Sequence, residues 1–137
     1  MADFEVLKIK DYKYWSVFLN ENQTYLGRCV IWCKRENALD LTDATLDERA
    51  ELFEILNQMR SALQTAFKAD WINYAFLGNG TRHLHCHLVP RYASERTFAG
   101  EVFKDERWGK SYRTNHDLIA PKVVLEQIVL EIKKYLD

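Results

Sequence analysis

The alternation of apolar and polar residues divides the first half of the chain into two extended segments followed by one long helix. Residues 14–19 and 28–33 are rich in aromatic and β-branched residues, which favour strands. Polar residues 20–23 and then Gly27 lie between them, so a turn is expected there. The two segments therefore predict a hairpin with a somewhat long connection.

The strongest periodicity belongs to a predicted helix that begins after Thr45. Thr45 and Glu48 have the spacing of a capping box, in which each side chain accepts a hydrogen bond from the backbone of the other residue. Apolar residues then recur at near-helical spacing, which predicts a helix ending near residues 69–70. The predicted apolar face consists of Leu46, Ala50, Leu52, Phe53, Ile55, Leu56, Met59, Leu63 and Phe67.

Extended segments return after this helix. Residues 71–77 predict a strand, and residues 78–80 predict a tight turn. Residues 81–89 predict the next strand, which Pro90 is expected to stop. Residues 92–116 are polar with scattered aromatic residues, and their pattern assigns no element.

The end of the chain predicts a C-terminal helix within residues 117–137, with Pro121 at its first position, where a missing N–H costs nothing. The chain has no internal repeat and no linker rich in Pro or Gly, so residues 1–137 are expected to form a single domain. The predicted fold class is α+β: a mostly antiparallel sheet with one long helix packed on it and a C-terminal helix.

Composition and charge narrow the classes of partner. The 137 residues include 19 basic and 20 acidic side chains, a net charge of −1, so binding to a nucleic acid polymer is not expected. The sequence has no membrane-spanning stretch, and the N-terminus lacks the pattern of a signal peptide, so no membrane association is expected. Three cysteines without a CxxC pair argue against a disulfide framework, and we expect a cytoplasmic protein.

Three of the four histidines, His83, His85 and His87, alternate with apolar residues over five positions. Alternate side chains of a strand point to the same face, so the three imidazoles are expected side by side, with Leu84 and Cys86 on the opposite, apolar face. Titratable groups clustered in this way are typical of active sites. We therefore predict that the three histidines are catalytic.

Two chemistries suit a row of imidazoles. The first is metal binding, but the outer two histidines of a strand lie about 13 Å apart, so a metal ion would need a further ligand such as His116, a cysteine or a carboxylate. The second is phosphoryl chemistry, in which one imidazole attacks phosphorus and its neighbours donate hydrogen bonds to the phosphate oxygens. The pattern favours the second chemistry, with no metal bound by the protein.

Residues 83–89 match the His-φ-His-φ-His-φ-φ signature of the histidine triad family, where φ is a hydrophobic residue. The resemblance extends over residues 14–91, and within the family the chain is most similar to the diadenosine polyphosphate hydrolase branch, which includes the fragile histidine triad type. The resemblance implies a HIT-like fold, a nucleotide substrate and a homodimer. It implies no cofactor other than Mg²⁺ that accompanies the substrate phosphates.

The resemblance also implies roles for individual residues. His85 would accept the nucleotidyl group covalently, His87 would contact the α-phosphate or the leaving group, and His83 would help to position the nucleophile. Asn20 matches the position that holds the ribose hydroxyls. Asn79, in the turn before the histidines, would donate a hydrogen bond to phosphate.

Arg28 departs from the family pattern. The family usually has a fourth histidine eight residues after the ribose contact, and Arg28 occupies that position here. Arginine does not exchange protons near neutral pH, yet its planar guanidinium binds phosphate well. Arg28 is therefore either a substrate-binding residue suited to a more highly charged substrate, which we favour slightly, or a solvated side chain.

The predicted function is that of a nucleotide hydrolase or nucleotidyl transferase acting through a nucleotidyl-His85 intermediate. The substrate would be a dinucleoside polyphosphate, such as diadenosine tetraphosphate or triphosphate, or a related nucleoside 5′-phosphoanhydride or phosphoramidate. Two alternatives stay open at this point: a nucleotide-binding or scaffold protein of the same fold with little turnover, and a metal-dependent hydrolase that uses two of the histidines.

Overall fold

The computed structural model describes residues 4–136, which form a five-stranded antiparallel sheet, a separate hairpin and three α-helices. The strands of the large sheet are β1 (Lys8–Asp11), β2 (Trp15–Leu19), β3 (Cys29–Cys33), β4 (Trp71–Ala75) and β5 (His85–Arg91). The helices are α1 (Phe4–Leu7), α2 (Leu46–Phe67) and α3 (Lys122–Lys133), and the hairpin consists of β6 (Arg96–Phe98) and β7 (Glu101–Phe103). The sheet order is β1-β2-β3-β5-β4, so β5 lies inside the sheet and β4 lies at one edge.

This architecture confirms the predicted α+β class. The single domain over residues 1–137 stays a prediction, because residues 1–3 and 137 lie outside the described residues. The C-terminal helix is shorter than the predicted segment 117–137: it covers Lys122–Lys133, with Pro121 as its N-cap. Within residues 4–136, no helix combines the length and the apolar character that a membrane span needs.

The predicted hairpin is present as β2 and β3, which pair from Trp15 with Cys33 to Leu19 with Cys29. Strand β1 pairs antiparallel with the other side of β2 and was not predicted. Its sequence is Lys-Ile-Lys-Asp, in which only Ile9 is buried. Four residues with one apolar side chain give too short an alternation to indicate a strand.

Helix α2 begins at the predicted cap. The Thr45 hydroxyl accepts a hydrogen bond from the Glu48 N–H at 3.1 Å, and the Glu48 carboxylate accepts one from the Thr45 N–H at 2.9 Å. Arg35 also donates to the Glu48 carboxylate, with Nε 3.0 Å from Oε2. The helix ends at Phe67, two or three residues before the predicted end, because Lys68 adopts a left-handed conformation with φ of 55°.

The buried face of α2 is narrower than predicted. Leu46 and Phe53 belong to the predicted apolar face, yet they are 79% and 72% exposed, and Ala50 is exposed as well. A helix on one side of a sheet buries one stripe, and the apolar residues of this helix are spread too widely to share it. The buried hydrophobic residues of α2 are Leu52, Ile55, Met59, Ala62, Leu63 and Phe67.

Strand β5 covers His85–Arg91 rather than the predicted residues 81–89. Residues 81–84 approach the sheet irregularly, with the Leu84 N–H donating to the Ala38 carbonyl oxygen. At the other end the strand continues through Pro90. The pairing with β3 ends at Leu88, so Pro90 has β4 as its one neighbouring strand, and its missing N–H is tolerated there.

The unassigned residues 92–116 contain the β6–β7 hairpin and a segment anchored by a buried ion pair. Arg91 and Asp105 form this pair, with Nε 2.7 Å from Oδ2 and both side chains at most 5% exposed. Arg91 also donates to the backbone carbonyl oxygens of Arg107 and Lys110 at 2.8 Å. The Arg91 side chain of β5 therefore holds residues 105–110, which follow β7, against the sheet.

Gly27, immediately before Arg28, occupies a position that only glycine fits. Its φ is +88°, and an added Cβ would lie 2.8 Å from Leu63 Cδ2 and 3.2 Å from Phe67 Cδ2. We expect Gly27→Ala to lower the free energy of unfolding by about 3 kcal/mol, since left-handed strain and overpacking both contribute.

Chemical denaturation of the matched variant Gly100→Ala is the control for this prediction. Gly100 also has positive φ, +79°, but an added Cβ there has no heavy atom within 4 Å. Strain alone should cost about 1 kcal/mol at this position. Equal losses in the two variants would contradict the role assigned to the close packing of Gly27 against α2.

Candidate active site

A cavity of about 500 Å³ opens on the face of the sheet that bears His85 and His87. Cys86 and Leu88, which alternate with these histidines, are fully buried in the core on the other face. The residues that line the cavity are Leu7, Phe18, Leu19, Asn20, Glu21, Val30, Trp32, Thr81, His85 and His87. The cavity therefore combines apolar walls with two imidazoles.

A hydrogen bond to the backbone fixes the orientation of His85. Its Nδ1 lies 2.6 Å from the carbonyl oxygen of His83. A carbonyl oxygen only accepts, so Nδ1 carries the proton and donates it. In the neutral ring the proton-free nitrogen is then Nε2, which has a lone pair. His85 is 7% exposed and lines the cavity, so this ring is held in one tautomer beside the cavity.

His87 has the opposite tautomer because its partner is a donor. Its Nδ1 lies 3.3 Å from Nη2 of Arg28, and a guanidinium only donates, so Nδ1 accepts and Nε2 carries the proton. Burial lowers the pKa of His87 to about 4, and the charge of Arg28 and the neighbouring His85 add to this effect. At neutral pH His87 is therefore an uncharged ring that offers one N–H.

The rings of His85 and His87 lie 5.0 Å apart between centroids, at an interplanar angle of 78°. His83 differs from the expectation of three imidazoles side by side. It precedes β5 and is absent from the cavity wall. Its ring stacks on Trp32 at 4.1 Å between centroids, and its Nε2 lies 2.7 Å from the Cys33 carbonyl oxygen. The contact of His83 with His85 is made by its backbone carbonyl.

Trp32 is a site residue that the sequence analysis missed. It pairs with His85 across β3 and β5, and its ring lies 5.4 Å from the His85 ring at an interplanar angle of 30°. The two-residue period of β3 was the available signal. Val30 and Trp32 alternate along it, Arg28 continues the alternation immediately before its first residue, and all three contact or line the same site.

Asn20 and Asn79 have different surroundings. Asn20 lines the cavity, and its backbone N–H donates to the Arg28 carbonyl oxygen at 2.9 Å, which holds it beside β3. Asn79 is exposed and lies outside the cavity wall, where Thr81 of the same loop is found instead.

Arg28 is not a solvated side chain. It is 6% exposed and lines a second cavity of about 330 Å³ that shares Asn20 and Glu21 with the first. Its Nη1 donates to Thr114 Oγ1 at 2.6 Å. Its guanidinium carbon lies 5.3 Å from the centre of the Tyr112 ring.

Two other chemistries have little support from the side chains. Cys86 is fully buried, and burial raises the pKa of its thiol to about 12, so it is not a nucleophile at neutral pH. Within residues 4–136, no three His, Cys, Asp or Glu side chains come together in a group that could hold a metal ion.

Comparison with known proteins gives relatives in sequence and in fold. The chain is 32% identical over 85 residues to bis(5′-adenosyl)-triphosphatase of Saccharomyces cerevisiae; the alignment covers 58% of this chain and 41% of the yeast protein. A histidine triad protein from Bradyrhizobium japonicum has a similar fold, with a TM-score of 0.73, 19% identity, and coverage of 95% of this chain and 90% of that chain.

Diadenosine triphosphate hydrolase of Plasmodium falciparum, solved in complex with cyclomarin A, has a TM-score of 0.69 and 16% identity, covering 96% of this chain and 76% of that chain. These two structures are evidence for the fold alone. In sequence, residues 5–94 match the family model of the HIT domain. The chain therefore belongs to the HIT domain family, the histidine triad proteins.

Proposed function

We propose that this protein is a nucleotide hydrolase that transfers a nucleoside monophosphate from its substrate to His85 and then to water. The observation that carries the proposal is the 2.6 Å hydrogen bond from His85 Nδ1 to the His83 carbonyl oxygen. This bond leaves Nε2 unprotonated beside a cavity of about 500 Å³. The family membership of residues 5–94 supports the same chemistry.

The first step forms a bond between His85 Nε2 and the α-phosphorus. The bond from phosphorus to the leaving group breaks, and the leaving group takes its electron pair. The imidazole becomes cationic, and Nδ1–H then donates to the His83 carbonyl oxygen more strongly. In the second step water attacks phosphorus and releases a proton to the solvent, the P–N bond breaks, and its electron pair returns to Nε2.

His87 supports the attack on phosphorus as a neutral hydrogen-bond donor. Its Nε2–H is available to a phosphate oxygen, where negative charge develops during attack. The tautomer imposed by Arg28 favours this role over that of an imidazolium acid. His83 serves as a positioning residue through its carbonyl oxygen, and Trp32 limits the tilt of the His85 ring by stacking.

The remaining walls suit a nucleoside. Phe18, Val30 and Leu7 supply apolar surface for a base, and Asn20 beside them supplies polar atoms for the ribose hydroxyls. Arg28 is the proposed phosphate ligand. Asn79 stays a prediction, as a phosphate contact from the loop that contains Thr81.

The proposed substrate class is a dinucleoside polyphosphate, such as diadenosine triphosphate or tetraphosphate, or a related nucleoside 5′-phosphoanhydride or phosphoramidate. The name of the yeast relative supports this class, although this chain spans 41% of its length. We propose no cofactor held by the protein, with Mg²⁺ entering on the substrate phosphates. Cys29, Cys33 and Cys86 are free thiols, which fits the proposed cytoplasmic location.

His85→Ala should reduce the release of AMP from diadenosine triphosphate by about 10⁴-fold or more, because the covalent step is lost. His83→Ala is the matched variant: it keeps the carbonyl that orients His85 and removes only the ring, so a loss of about tenfold is expected. Steady-state assays by chromatography measure both.

Rapid quench with labelled substrate, followed by mass spectrometry, should trap an acid-labile adenylyl group on His85. An adduct on another residue, or none in an active enzyme, would contradict the assignment. Wild-type protein that binds but turns over none of a panel of adenylated substrates would instead indicate a binding protein. Activity lost on exhaustive chelation, and not restored by Mg²⁺ supplied with the substrate, would indicate the metal-dependent alternative.

His87 should stay neutral over the pH range of activity. Its pKa is lowered to about 4, so its ring signals in an NMR titration should not shift between about pH 8 and pH 5. The unfolded chain has the ordinary histidine pKa near 6.5 and takes up the proton first, so this residue's contribution to stability is lost as the pH falls from about 6.5 to about 4. A midpoint near pH 6.5 in the native protein would contradict the tautomer assignment.

We also propose a homodimer formed through β4. This strand is at the edge of the sheet, and its Trp71 and Tyr74 are 64% and 42% exposed. An exposed edge strand with apolar side chains favours pairing with another strand, and a second copy of the chain supplies one.

Sedimentation velocity tests the dimer. The wild type should sediment as a dimer at about ten micromolar, and Trp71→Lys combined with Tyr74→Lys should give monomer, because charges oppose each other across the paired strands. Leu130→Lys is the control, since Leu130 is 61% exposed on α3, which packs against β1 at the opposite edge of the sheet from β4. A monomeric wild type at this concentration would refute the proposal.

A further inference from the structure

Among the residues that the structure describes, Arg28 is a buried cation without an anionic partner. It is 6% exposed, and no carboxylate within residues 4–136 forms an ion pair with it. Its Nε is buried and has no hydrogen-bond partner among the described residues. Burying a charge in this way is costly, and burial lowers the pKa of Arg28, although the side chain remains protonated. An arginine that is buried without a counter-ion is well suited to an anionic ligand.

The neighbours of Arg28 hold its guanidinium beside the second catalytic histidine. Nη1 donates to Thr114 Oγ1 at 2.6 Å, and Nη2 contacts His87 Nδ1 at 3.3 Å. The face of the guanidinium lies over Tyr112. The guanidinium of Arg28 is therefore in direct contact with His87, the histidine proposed to face the leaving group.

The second cavity can accommodate a leaving group. It has a volume of about 330 Å³, is lined by Arg28, Thr114 and His116, and meets the first cavity at Asn20 and Glu21. Its walls combine the Arg28 guanidinium and polar side chains, the Glu21 carboxylate among them, with a short apolar stretch at residues 118–120, whereas the first cavity has the mainly apolar walls that suit a base. The two cavities thus provide a nucleoside side and a phosphate side on either side of Asn20.

We propose that Arg28 restricts this site to substrates whose leaving group departs as a phosphate anion, received in the second cavity, and that it selects against amine leaving groups. The inference rests on the proposed function and chooses between the two substrate types that function allows. Arg28 acts twice: it binds the departing phosphate, and it positions His87 as a neutral N–H donor.

The chemistry of the two leaving groups differs in its need for a proton. When the P–O bond of an anhydride breaks, the oxygen keeps the electron pair and leaves as a phosphate anion, which Arg28 stabilises without proton transfer. When the P–N bond of a phosphoramidate breaks, the nitrogen must gain a proton to leave as an amine. His87 cannot readily supply that proton, because it is neutral and the adjacent guanidinium opposes its protonation.

Two substrates with the same adenylyl group test the inference. Diadenosine triphosphate releases ADP, and adenosine 5′-phosphoramidate releases ammonia. We expect the wild type to favour the anhydride by about a hundredfold in kcat/KM. Arg28→Gln should lower kcat/KM for the anhydride by about a hundredfold and change the phosphoramidate rate by no more than about threefold, so the preference disappears.

Three further variants complete the design. Arg28→Lys keeps the charge but not the planar fork, so it should retain part of the anhydride preference, and it serves as the test if Arg28→Gln fails to fold. Arg60→Gln on the exposed side of α2 is the control for loss of a positive charge, with unchanged rates expected. His116→Gln removes the other imidazole of the second cavity and should weaken the preference for the anhydride less than Arg28→Gln does, because the guanidinium stays in place.

An independent readout is the NMR titration of His87, whose pKa should rise in Arg28→Gln as the opposing charge is lost. Equal losses of Arg28→Gln on both substrates, or a wild type that cleaves both equally well, would overturn the inference and leave the proposed function standing. A preference that vanishes in His116→Gln would overturn it as well. A wild type that cleaves neither substrate would overturn the proposed function and this inference together.

Discussion

The register between β3 and β5 is the constraint on which the site depends. Val30 pairs with His87 and Trp32 pairs with His85, so the side chains of the two strands meet on one face. A shift of one residue would turn every one of these side chains to the opposite face. The fully buried Ile31 and Cys86, which pair with each other on the core face, make such a shift costly. The packing of the core thereby fixes which groups surround His85.

Within that register, two simple partners decide the protonation of the two cavity histidines. A backbone carbonyl, which only accepts, holds the proton of His85 on Nδ1. A guanidinium, which only donates, keeps Nδ1 of His87 free of a proton. Two chemically identical rings 5.0 Å apart are thus held in opposite tautomers, one with Nε2 free of a proton and one with Nε2 protonated. Neither assignment requires the histidines to compete for one proton.

The parts of the fold that sequence alone predicted are those with a strong local signal. The cap of Thr45 and Glu48, the hairpin of β2 and β3, and the burial of Cys86 beneath the histidines all follow from spacing. The misjudged parts depend on distant contacts. His83 leaves the histidine row because its ring packs on Trp32, and no spacing rule contains that contact.

The burial of Arg28 also depends on distant contacts and could not be predicted from the sequence. Its position after Gly27 is evident in the sequence, but its burial depends on Tyr112 and Thr114, more than eighty residues further along the chain. Those residues belong to a stretch whose pattern assigned no element. The segment is held by the buried pair of Arg91 and Asp105 and by the hydrogen bond from the Arg113 N–H to the Tyr25 hydroxyl. A list of charged residues does not distinguish that pair from solvated ones.

The boundary of the family match divides the site in a way that bears on its specificity. Residues 5–94 match the family and include both cavity histidines, Asn20 and the apolar walls. The groups that accept or cover the Arg28 guanidinium, Thr114 and Tyr112, lie beyond residue 94. The departure from a fourth histidine is therefore accompanied by contacts from outside the matched segment. Both cavity histidines belong to the matched segment, whereas two contacts of the Arg28 guanidinium lie outside it, so these contacts can change without disturbing His85.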